Sequence, residues 1–514
     1  MNLAPLGLAA APLPCALPAV RIPVSSGEVL AACRLAWEQG AQLLALWLAD
    51  ERDRTGGFCL RIVLQDAAGL ALLEHLLPNA DAQYPDVAAI FPAANRMQRA
   101  AFDLVGVASE SDDQRPWLWM ASWPIDRFPL QRDFAPSPKW EPGEENYPFV
   151  RVEGDGVHEI AVGPVHAGII EPGHFRFQVV GEKLLRLEER LAYAHKGIEK
   201  RFEQFSIDDA FRLAGRVSGD STVAYAWAYA QASEAIAGCA VPPRALWLRA
   251  LALERERIAN HLGDLGYLGN DGGFAFGLAQ FSRLKEDVLR QNLTAFGHRM
   301  VMDYVVPGGV AAPLEATEAA ALRGQSVALE REVDVLRDVY DEHAGLQDRF
   351  RGCGHVAPEI AAQLGLTGFA GRASGQARDL RCDFALPPYA ALAPRKATHG
   401  DGDVAARVAV RFDELKESLR LTRAIVDALP DGECRAPLSE IPPFRLGLGV
   451  VEGWRGPVLI ALQSGDARSV RRCHAHDPSW LNWPVLEFAV IGNIVPDFPL
   501  INKSFNLSYS GHDL

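Results

Sequence analysis

The spacing of hydrophobic and polar positions divides the chain into a mixed first part and a mainly helical second part. Before about residue 134, segments with helical spacing and segments with strand-like apolar runs occur together, among them 28–40, 58–66 and 68–77. A mixture of this kind over a short stretch predicts a small α/β-type or α+β unit.

The second part opens on two strand-like runs, 157–163 and 174–180, separated by a loop rich in glycine and proline. This pattern predicts a hairpin with a long connection. Apolar residues at three- and four-residue intervals then predict bundle helices, and strand-like runs return near the end. The helical segments include 242–266, 314–343 and 403–429, and the late strand-like runs are 444–453 and 456–464.

These patterns predict an α+β fold class, with a small N-terminal α/β-type domain followed by a mainly helical bundle domain with peripheral β-hairpins. The segment 134–149 carries four prolines and several charges, as linkers often do. The predicted division is an N-terminal extension (1–23), a first domain (24–134), a proline-rich linker (135–150) and a second domain (151–514).

Charge and cysteine content exclude some classes of function. The chain has 51 basic and 65 acidic residues and a net charge of -14, which argues against nucleic acid as a partner. Its eight cysteines show no C-x-x-C spacing, so free thiols in a reducing, cytoplasmic compartment are expected. The first twenty residues contain four prolines and no charge, which argues against a secretory signal. Because no apolar stretch reaches the length of a membrane span, any membrane association is expected to run through partner proteins.

Five blocks, in chain order, resemble one protein family. The first resembles the end of the 30 kDa-type subunit of respiratory complex I, and the second resembles the opening motif of the large subunit of membrane-bound, formate hydrogenlyase-type hydrogenases. The later blocks continue the match and include motifs of the 49 kDa-type complex I subunit. The blocks are 127–133, 163–177, 193–200, 365–381 and 452–457. The chain therefore resembles a fused 30 kDa/49 kDa-type subunit of complex I and of group 4 membrane-bound nickel–iron hydrogenases.

The resemblance locates the four positions at which the hydrogenases carry metal-binding cysteines. Soft thiolates suit nickel and low-spin iron, whereas a serine hydroxyl is hard and glycine has no ligating group. The positions hold Ser218, Ser221, Ser508 and Gly511 here. The resemblance thus implies a variant that lacks the nickel–iron site, of the energy-converting hydrogenase-related kind, and no metal is expected in this chain.

The complex I branch of the family binds a quinone with a loop histidine and a helix tyrosine. The places of these residues fall on Pro172 and Gly219 in this sequence, while the acidic partner of the histidine survives as Asp271. The resemblance therefore implies a cavity without the standard quinone-reducing pair.

Two groups of polar residues are candidates for this cavity. Arg216, Ser218, Asp220 and Ser221 predict a polar pocket that replaces the metal site and binds a quinone-like molecule or conducts protons, with Ser218 and Ser221 on one helix face. The alternative is helix capping by satisfied buried hydroxyls. In the second group, histidines and a carboxylate around the strand loop suit a proton relay, and the alternative is that they order the loop. This group contains His166, Glu171, His174 and His195.

Arg257 and His261 lie four residues apart, with Glu254 and Glu256 nearby. They are candidates for tuning a neighbouring iron–sulfur cluster, and an ion-pair network between helices is the favoured interpretation. The segment 473–477 has metal-friendly side chains, but a chance composition is favoured over a zinc site, which needs four convergent ligands.

The resulting expectation is a large catalytic-type subunit of a membrane-associated oxidoreductase that couples electron transfer to ion translocation. The alternatives are an NADH:quinone oxidoreductase-type quinone-binding subunit, a non-catalytic structural coupling subunit and, least favoured, a hydrogenase with unusual ligands. The resemblance implies three further features. A small subunit with a 4Fe-4S cluster and antiporter-like membrane subunits are the partners, quinone is the candidate ligand, and the chain lies peripherally on the cytoplasmic face of the cell membrane.

Overall fold

The computed structural model describes residues 1–79, 81–124, 126–135, 141, 143–144, 146–166, 170–384 and 386–514. Part of the predicted linker and residues 167–169 of the strand-connecting loop lie outside the described residues. Helices and strands segregate into different parts of the chain, and the predicted α+β class is confirmed.

A five-stranded sheet in the order β1-β2-β5-β4-β3 forms the first part. Its strands pair antiparallel except for β2 and β5, which are parallel. Strand β2 falls within residues 1–23, so part of the predicted N-terminal extension supplies a strand. The elements are β1 (Ala11–Pro12), β2 (Ala19–Pro23), α1 (Ser26–Glu38), β3 (Gln42–Glu51), β4 (Gly57–Asp66), β5 (Gly69–Leu77) and α2 (Ala94–Val105).

A second sheet has the antiparallel order β6-β7-β8, and the predicted hairpin of β6 and β7 is confirmed, with Val157 opposite Val180. Two short helices follow. The elements are β6 (Val157–Val162), β7 (His174–Val180), β8 (Lys183–Arg190), α3 (Ile198–Phe202) and α4 (Phe211–Ala214).

Long helices form the centre of the second part. Helix α6 is buried along most of its length because α5, α7, α14 and α16 surround it. The sequence pattern predicts an end at Gly266, but α6 continues to Asp271 because its late glycines admit close neighbours: a β-carbon on Gly266 would lie 3.1 Å from that of Phe281. The long helices are α5 (Thr222–Ala237), α6 (Pro243–Asp271), α7 (Ala275–Phe296), α8 (Ala316–Glu342) and α14 (Val404–Asp427).

Short elements connect these helices. They are β9 (Val305–Val306), β10 (Gly309–Val310), α9 (Ala344–Phe350), α10 (Pro358–Leu364), α11 (Gly368–Ala373), α12 (Leu380–Asp383) and α13 (Tyr389–Leu392).

The end of the chain forms a third sheet, in the antiparallel order β11-β12-β13, and three helices. One face of this sheet packs on α5, where Gly449 is required because a β-carbon there would lie 1.8 Å from the Ala228 carbonyl oxygen. The elements are β11 (Leu446–Glu452), β12 (Pro457–Ser464), β13 (Val470–His476), α15 (Ser479–Ala489), α16 (Phe498–Phe505) and α17 (Tyr509–Asp513).

The other face of the third sheet packs against the N-terminal sheet. Trp47 and Val63 share a buried cluster with Leu448 and Leu459, and Arg61 donates a hydrogen bond to the Gln463 side chain (3.2 Å). Strands β3 to β5 are therefore buried on both faces, which explains their nearly continuous apolar runs.

Candidate functional site

The four positions that the resemblance assigns to lost metal ligands converge. Ser218 and Ser221 lie at the start of α5, and Ser508 and Gly511 lie at the start of α17. The hydroxyl oxygens of Ser218 and Ser508 are 3.0 Å apart although 290 residues separate them in the chain. A β-carbon on Gly511 would lie 2.8 Å from the Ser508 hydroxyl oxygen. The two pairs thus face each other across one buried point.

Ser218 does not lie on a helix. Its backbone is extended (φ -142°, ψ 118°), and a single 3-10 turn, Gly219–Ser221, separates it from α5. The prediction that Ser218 and Ser221 share a helix face is therefore wrong, because the segment turns before the helix begins.

The serine hydroxyls form a directed chain of hydrogen bonds. Ser218 donates to Asp220 over 2.8 Å, so its oxygen is left to accept from Ser508. The Ser508 oxygen in turn accepts the Gly511 N–H over 2.8 Å, which caps α17. Each hydroxyl donates one hydrogen and accepts another, so the chain ends on the Asp220 carboxylate.

Asp220 forms a two-point ion pair with Arg455, over 2.9 and 2.6 Å, and Arg455 also donates to the Ser221 hydroxyl (3.3 Å). The Arg455 guanidinium stacks 4.0 Å from the ring centre of Trp454, which itself donates to the Asp220 carbonyl (2.9 Å). Burial opposes ionisation of Asp220, but the Arg455 guanidinium and the Ser218 hydroxyl prevail and lower its pKa to about 2. One third of the Asp220 side chain remains exposed, so the charged end of the site reaches the surface.

Asp477 fills the space beside Gly511. A β-carbon on Gly511 would lie 2.4 Å from an oxygen of Asp477, a distance that requires one of the two groups to move. Tyr225 donates to the same oxygen (2.8 Å) and the Ser479 N–H donates to the other (2.8 Å). The carboxylate is thus held where a side chain at position 511 would have to be.

The loop between β6 and β7 is closed by two of the candidate histidines. His166 donates to the Gly173 carbonyl (2.7 Å), and His174 donates from Nδ1 to the Gly163 carbonyl (3.1 Å). Because Arg176 donates to the remaining nitrogen of His174, that ring is neutral. Burial lowers the pKa of His174, and the nearby Arg176 lowers it further.

Glu171 and His195 bind the segment that carries Ser508 and Gly511. Glu171 accepts hydrogen bonds from the N–H and the hydroxyl of Ser510, over 3.2 and 3.1 Å. His195 donates from Nδ1 to the Asp513 carbonyl (2.7 Å). Both candidates therefore lie next to the serine cluster.

Arg216 and Asp271 lie away from the cluster. Arg216 forms a two-point ion pair with Asp303 at the surface, with both distances 2.6 Å. Asp271 ends α6, eleven residues after Asn260, which donates to the Asp220 carbonyl (2.8 Å). Eleven helical residues span about 16 Å, so Asp271 lies outside hydrogen-bonding range of the serines.

Arg257 and His261 belong to a buried polar network behind the site. Arg257 donates to Glu414 (3.0 Å) and to the carbonyls of Glu452 and Gly453 (2.9 and 3.1 Å). His261 contacts Glu414 over 3.0 Å, and burial lowers its pKa even though this contact opposes the shift. The ring of Trp454 lies edge to face with His261 at 6.2 Å, so it separates the network from Asp220.

Three residues of the site did not appear among the sequence candidates. Arg455 lies in one of the blocks that carry the resemblance, and Asp477 lies in the segment set aside as chance composition. The third is Glu256, which accepts the N–H groups of Val223 and Ala224 over 2.7 and 3.3 Å at the start of α5. Burial raises the pKa of Glu256 from 4.5 to about 8.

Two further observations bear on function. Within the part of the chain that the structure describes, no three histidine, cysteine or acidic side chains are grouped so as to hold a metal ion. The helices of that part include none with the length and apolar content needed to cross a bilayer.

Comparison with protein families defines the class. Residues 22–139 match the family "Respiratory-chain NADH dehydrogenase, 30 Kd subunit", and residues 271–445 match "Respiratory-chain NADH dehydrogenase, 49 Kd subunit". The protein is thus a fused subunit of the complex I type, as the resemblance predicts.

Curated relatives narrow the class. Formate hydrogenlyase subunit 5 of Escherichia coli is 31% identical over 488 residues, which cover 93% of this chain and 86% of that protein. Hydrogenase-4 component G of Escherichia coli is 30% identical over 491 residues, with 93% of this chain and 85% of that protein covered. The chain belongs to the family of complex I-like and hydrogenase large-subunit-like proteins that includes these two.

A solved structure shares the fold. One chain of "Structure of the membrane-bound sulfane sulfur reductase (MBS), an archaeal respiratory membrane complex" aligns with a TM-score of 0.66 and 24% identity, over 70% of this chain and 99% of that chain.

Proposed function

We propose that this chain is the large, catalytic-type subunit of a membrane-associated oxidoreductase that couples electron transfer to ion translocation without a nickel–iron centre. The observation that carries the proposal is the direct 3.0 Å contact between the hydroxyls of Ser218 and Ser508, at two of the four places where hydrogenases carry thiolates. Hydroxyls that close on each other leave no room between them for a pair of metals.

The donor chemistry also does not fit a nickel–iron centre. Four soft thiolates are replaced by three hydroxyls and a glycine, and a serine hydroxyl stays protonated near neutral pH. The Ser218 proton is directed at Asp220, so its oxygen offers no anionic ligand. The Asp477 carboxylate occupies the space that a thiolate at position 511 would need.

The arrangement instead suits movement of protons. A row of hydroxyls that ends on a partly exposed carboxylate lets a proton pass by successive short transfers. Arg455 keeps Asp220 ionised, so Asp220 can accept a proton from the hydroxyls and release it at the surface. Glu171 lies beside the row through its bonds to Ser510.

We assign partners by the family and by the surface of the loop between β6 and β7. Val165 is 85% exposed and Ile170 is 52% exposed, beside the serine cluster. An exposed apolar loop next to a buried polar site suits contact with a small subunit that carries a 4Fe-4S cluster. Antiporter-like membrane subunits would then hold this chain peripherally on the cytoplasmic face of the membrane.

A quinone-binding subunit is the second candidate function. Gly219, at the place of the quinone-binding tyrosine of complex I, has no atom within 4 Å of a β-carbon built on it. Space beside the exposed part of Asp220 is therefore available for a head group.

The test uses the purified, assembled complex. We expect nickel far below one atom per complex and no dihydrogen evolution, with or without an added quinone acceptor. Stoichiometric nickel together with dihydrogen evolution would overturn the proposal. Reduction of menaquinone or ubiquinone analogues by the complex, lost in Gly219→Trp, would select the quinone-binding candidate.

Alanine variants separate a proton path from a purely structural role. We expect the double variant Ser218→Ala, Ser508→Ala to lower ion transport in vesicles while the complex still assembles. Arg216→Ala, at an ion pair outside the cluster, is the matched control. Unchanged transport in the double variant would instead favour a subunit that couples without chemistry of its own.

A further inference from the structure

A cavity of about 370 Å³ lies between the end of α5, the start of α6 and strand β11, on the opposite end of α5 from the serine cluster. Most of its wall is apolar, with Trp227, Leu246 and Leu253 among the lining residues. Arg381 and Glu452 also line the cavity, so part of its wall is charged.

Glu452 and Arg381 belong to a buried cluster of ionisable side chains. We define the carboxylate cluster as four carboxylates and three guanidiniums, each at most 4% exposed, that contact one another. They are Glu254, Asp379, Glu414 and Glu452, with Arg257, Arg372 and Arg381. His261 also contacts Glu414, but its pKa is lowered by burial and it adds no charge at neutral pH.

The cluster has one carboxylate more than it has guanidiniums. A buried, uncompensated negative charge is strongly unfavourable, so one of the carboxyl groups is expected to hold a proton near neutral pH. Which carboxyl holds it depends on the partners of each.

Glu452 has the weakest set of charged partners. Asp379 accepts a two-point ion pair from Arg381, over 3.0 and 2.7 Å. Glu452 has one guanidinium contact, Arg372 at 3.0 Å, and the same nitrogen lies 3.9 Å from Asp379. Its other oxygen accepts the Leu380 N–H (3.2 Å).

The other two carboxylates are better compensated. Glu414 contacts Arg257, Arg372 and His261. Glu254 accepts hydrogen bonds from Arg381, Ser418 and Tyr389.

We infer that Glu452 is a proton-binding site that is loaded from the cavity. One proton passes from hydronium in the cavity to a carboxylate oxygen of Glu452, and no other bond forms or breaks. The neutral carboxyl leaves the cluster balanced at three charges of each sign. Burial and the negative charge of Asp379 raise the pKa of Glu452 to about 7, against the opposing effects of Arg372, Arg257 and Arg381.

This site lies on the same segment as the ion pair at the serine cluster, since Arg455 follows Glu452 by three residues. The role of the site as a store of protons for ion translocation rests on the proposed function. Proton binding itself does not.

The test follows the carboxyl group by infrared spectroscopy on the purified full chain. We expect a protonated-carboxyl C=O band that titrates with a midpoint near pH 7 and is absent in Glu452→Gln. Glu256, which lies at the other end of α5 and titrates near pH 8, provides an internal reference band.

Plugging the cavity tests the route. In Leu246→Trp, hydrogen–deuterium exchange of the Glu452 band should slow by about tenfold or more, because exchange would then require local opening. The Glu256 band should exchange at an unchanged rate. Val335→Trp, at a position 62% exposed, is the control substitution and should change neither band.

A band that persists in Glu452→Gln, or an exchange rate that the plug leaves unchanged, would overturn the inference. The plug variant leaves Glu452 in place, so the test remains available if Glu452→Gln fails to fold. Because no turnover is needed, failure here leaves the proposed function standing. Nickel and dihydrogen would overturn the proposed function and leave the infrared result intact.

Discussion

Arg455 and Asp220 form a two-point ion pair that joins the segment after β11 to the turn before α5. The same guanidinium donates from Nε to the Asn506 carbonyl over 2.6 Å, just before α17. One buried side chain therefore holds together the three segments that form the serine cluster.

Replacing Arg455 should destabilise the protein. Arg455→Leu leaves the Asp220 carboxylate and the Asn506 carbonyl without their donor, and we expect a loss of about 2 to 3 kcal/mol in the free energy of unfolding. Chemical denaturation measures the loss. Arg216→Leu removes an equally short two-point pair at the surface, where a cost below about 1 kcal/mol is expected. Equal costs for the two variants would contradict the central role of Arg455.

The ionisation of Asp220 should make its contribution to stability depend on acidity. Its pKa is lowered from 3.8 to about 2 in the folded protein, so the carboxylate stabilises the fold above the unfolded pKa. That contribution is lost as the pH falls through the folded pKa. The difference in unfolding free energy between the wild type and Asp220→Asn should thus be constant above about pH 5 and shrink towards pH 2. A difference that is as large at pH 2 as at pH 6 would contradict the assignment.

Glu256 should show the opposite dependence. Its pKa is raised to about 8 by burial, so the folded state holds a proton that the unfolded state has released above pH 4.5. Its stabilising contribution is present below pH 4.5 and is lost as the pH rises to about 8. Glu256→Gln cannot ionise, so its stability relative to the wild type should rise by several kcal/mol between pH 5 and 9. A flat difference over that range would show that Glu256 is ionised at neutral pH.

The parts of the fold with local causes could be predicted from the sequence. The end of α5 at Gly238 follows from a glycine in the left-handed conformation (φ 64°), and the pairing of β6 with β7 follows from two alternating runs. Strand β3 gave no such signal, because its residues are buried on both faces and do not alternate. Its burial depends on the sheet formed by β11 to β13, about 400 residues later.

The site was predictable only as far as the resemblance reached. It marked Ser218, Ser221, Ser508 and Gly511, and these positions do converge. It did not identify Asp477 as the group beside Gly511, because that contact depends on how β13 and α17 pack. The same holds for the pairing of Arg455 with Asp220, which lie 235 residues apart.

The space beside Gly511 can be measured directly. In Gly511→Ala the new methyl group would lie 2.4 Å from an Asp477 oxygen, and Tyr225 and the Ser479 N–H hold that oxygen's carboxylate in place. We expect a loss of about 1 to 3 kcal/mol in the free energy of unfolding, as for other overpacked sites. Gly324→Ala is the control, because Gly324 lies inside α8 with no atom within 4 Å of a β-carbon built on it. That variant should gain about 0.5 to 1 kcal/mol, since alanine favours the helix. If Gly511→Ala were also stabilising, Asp477 would not occupy the place of the fourth thiolate, and the argument against a metal at this site would lose its steric support.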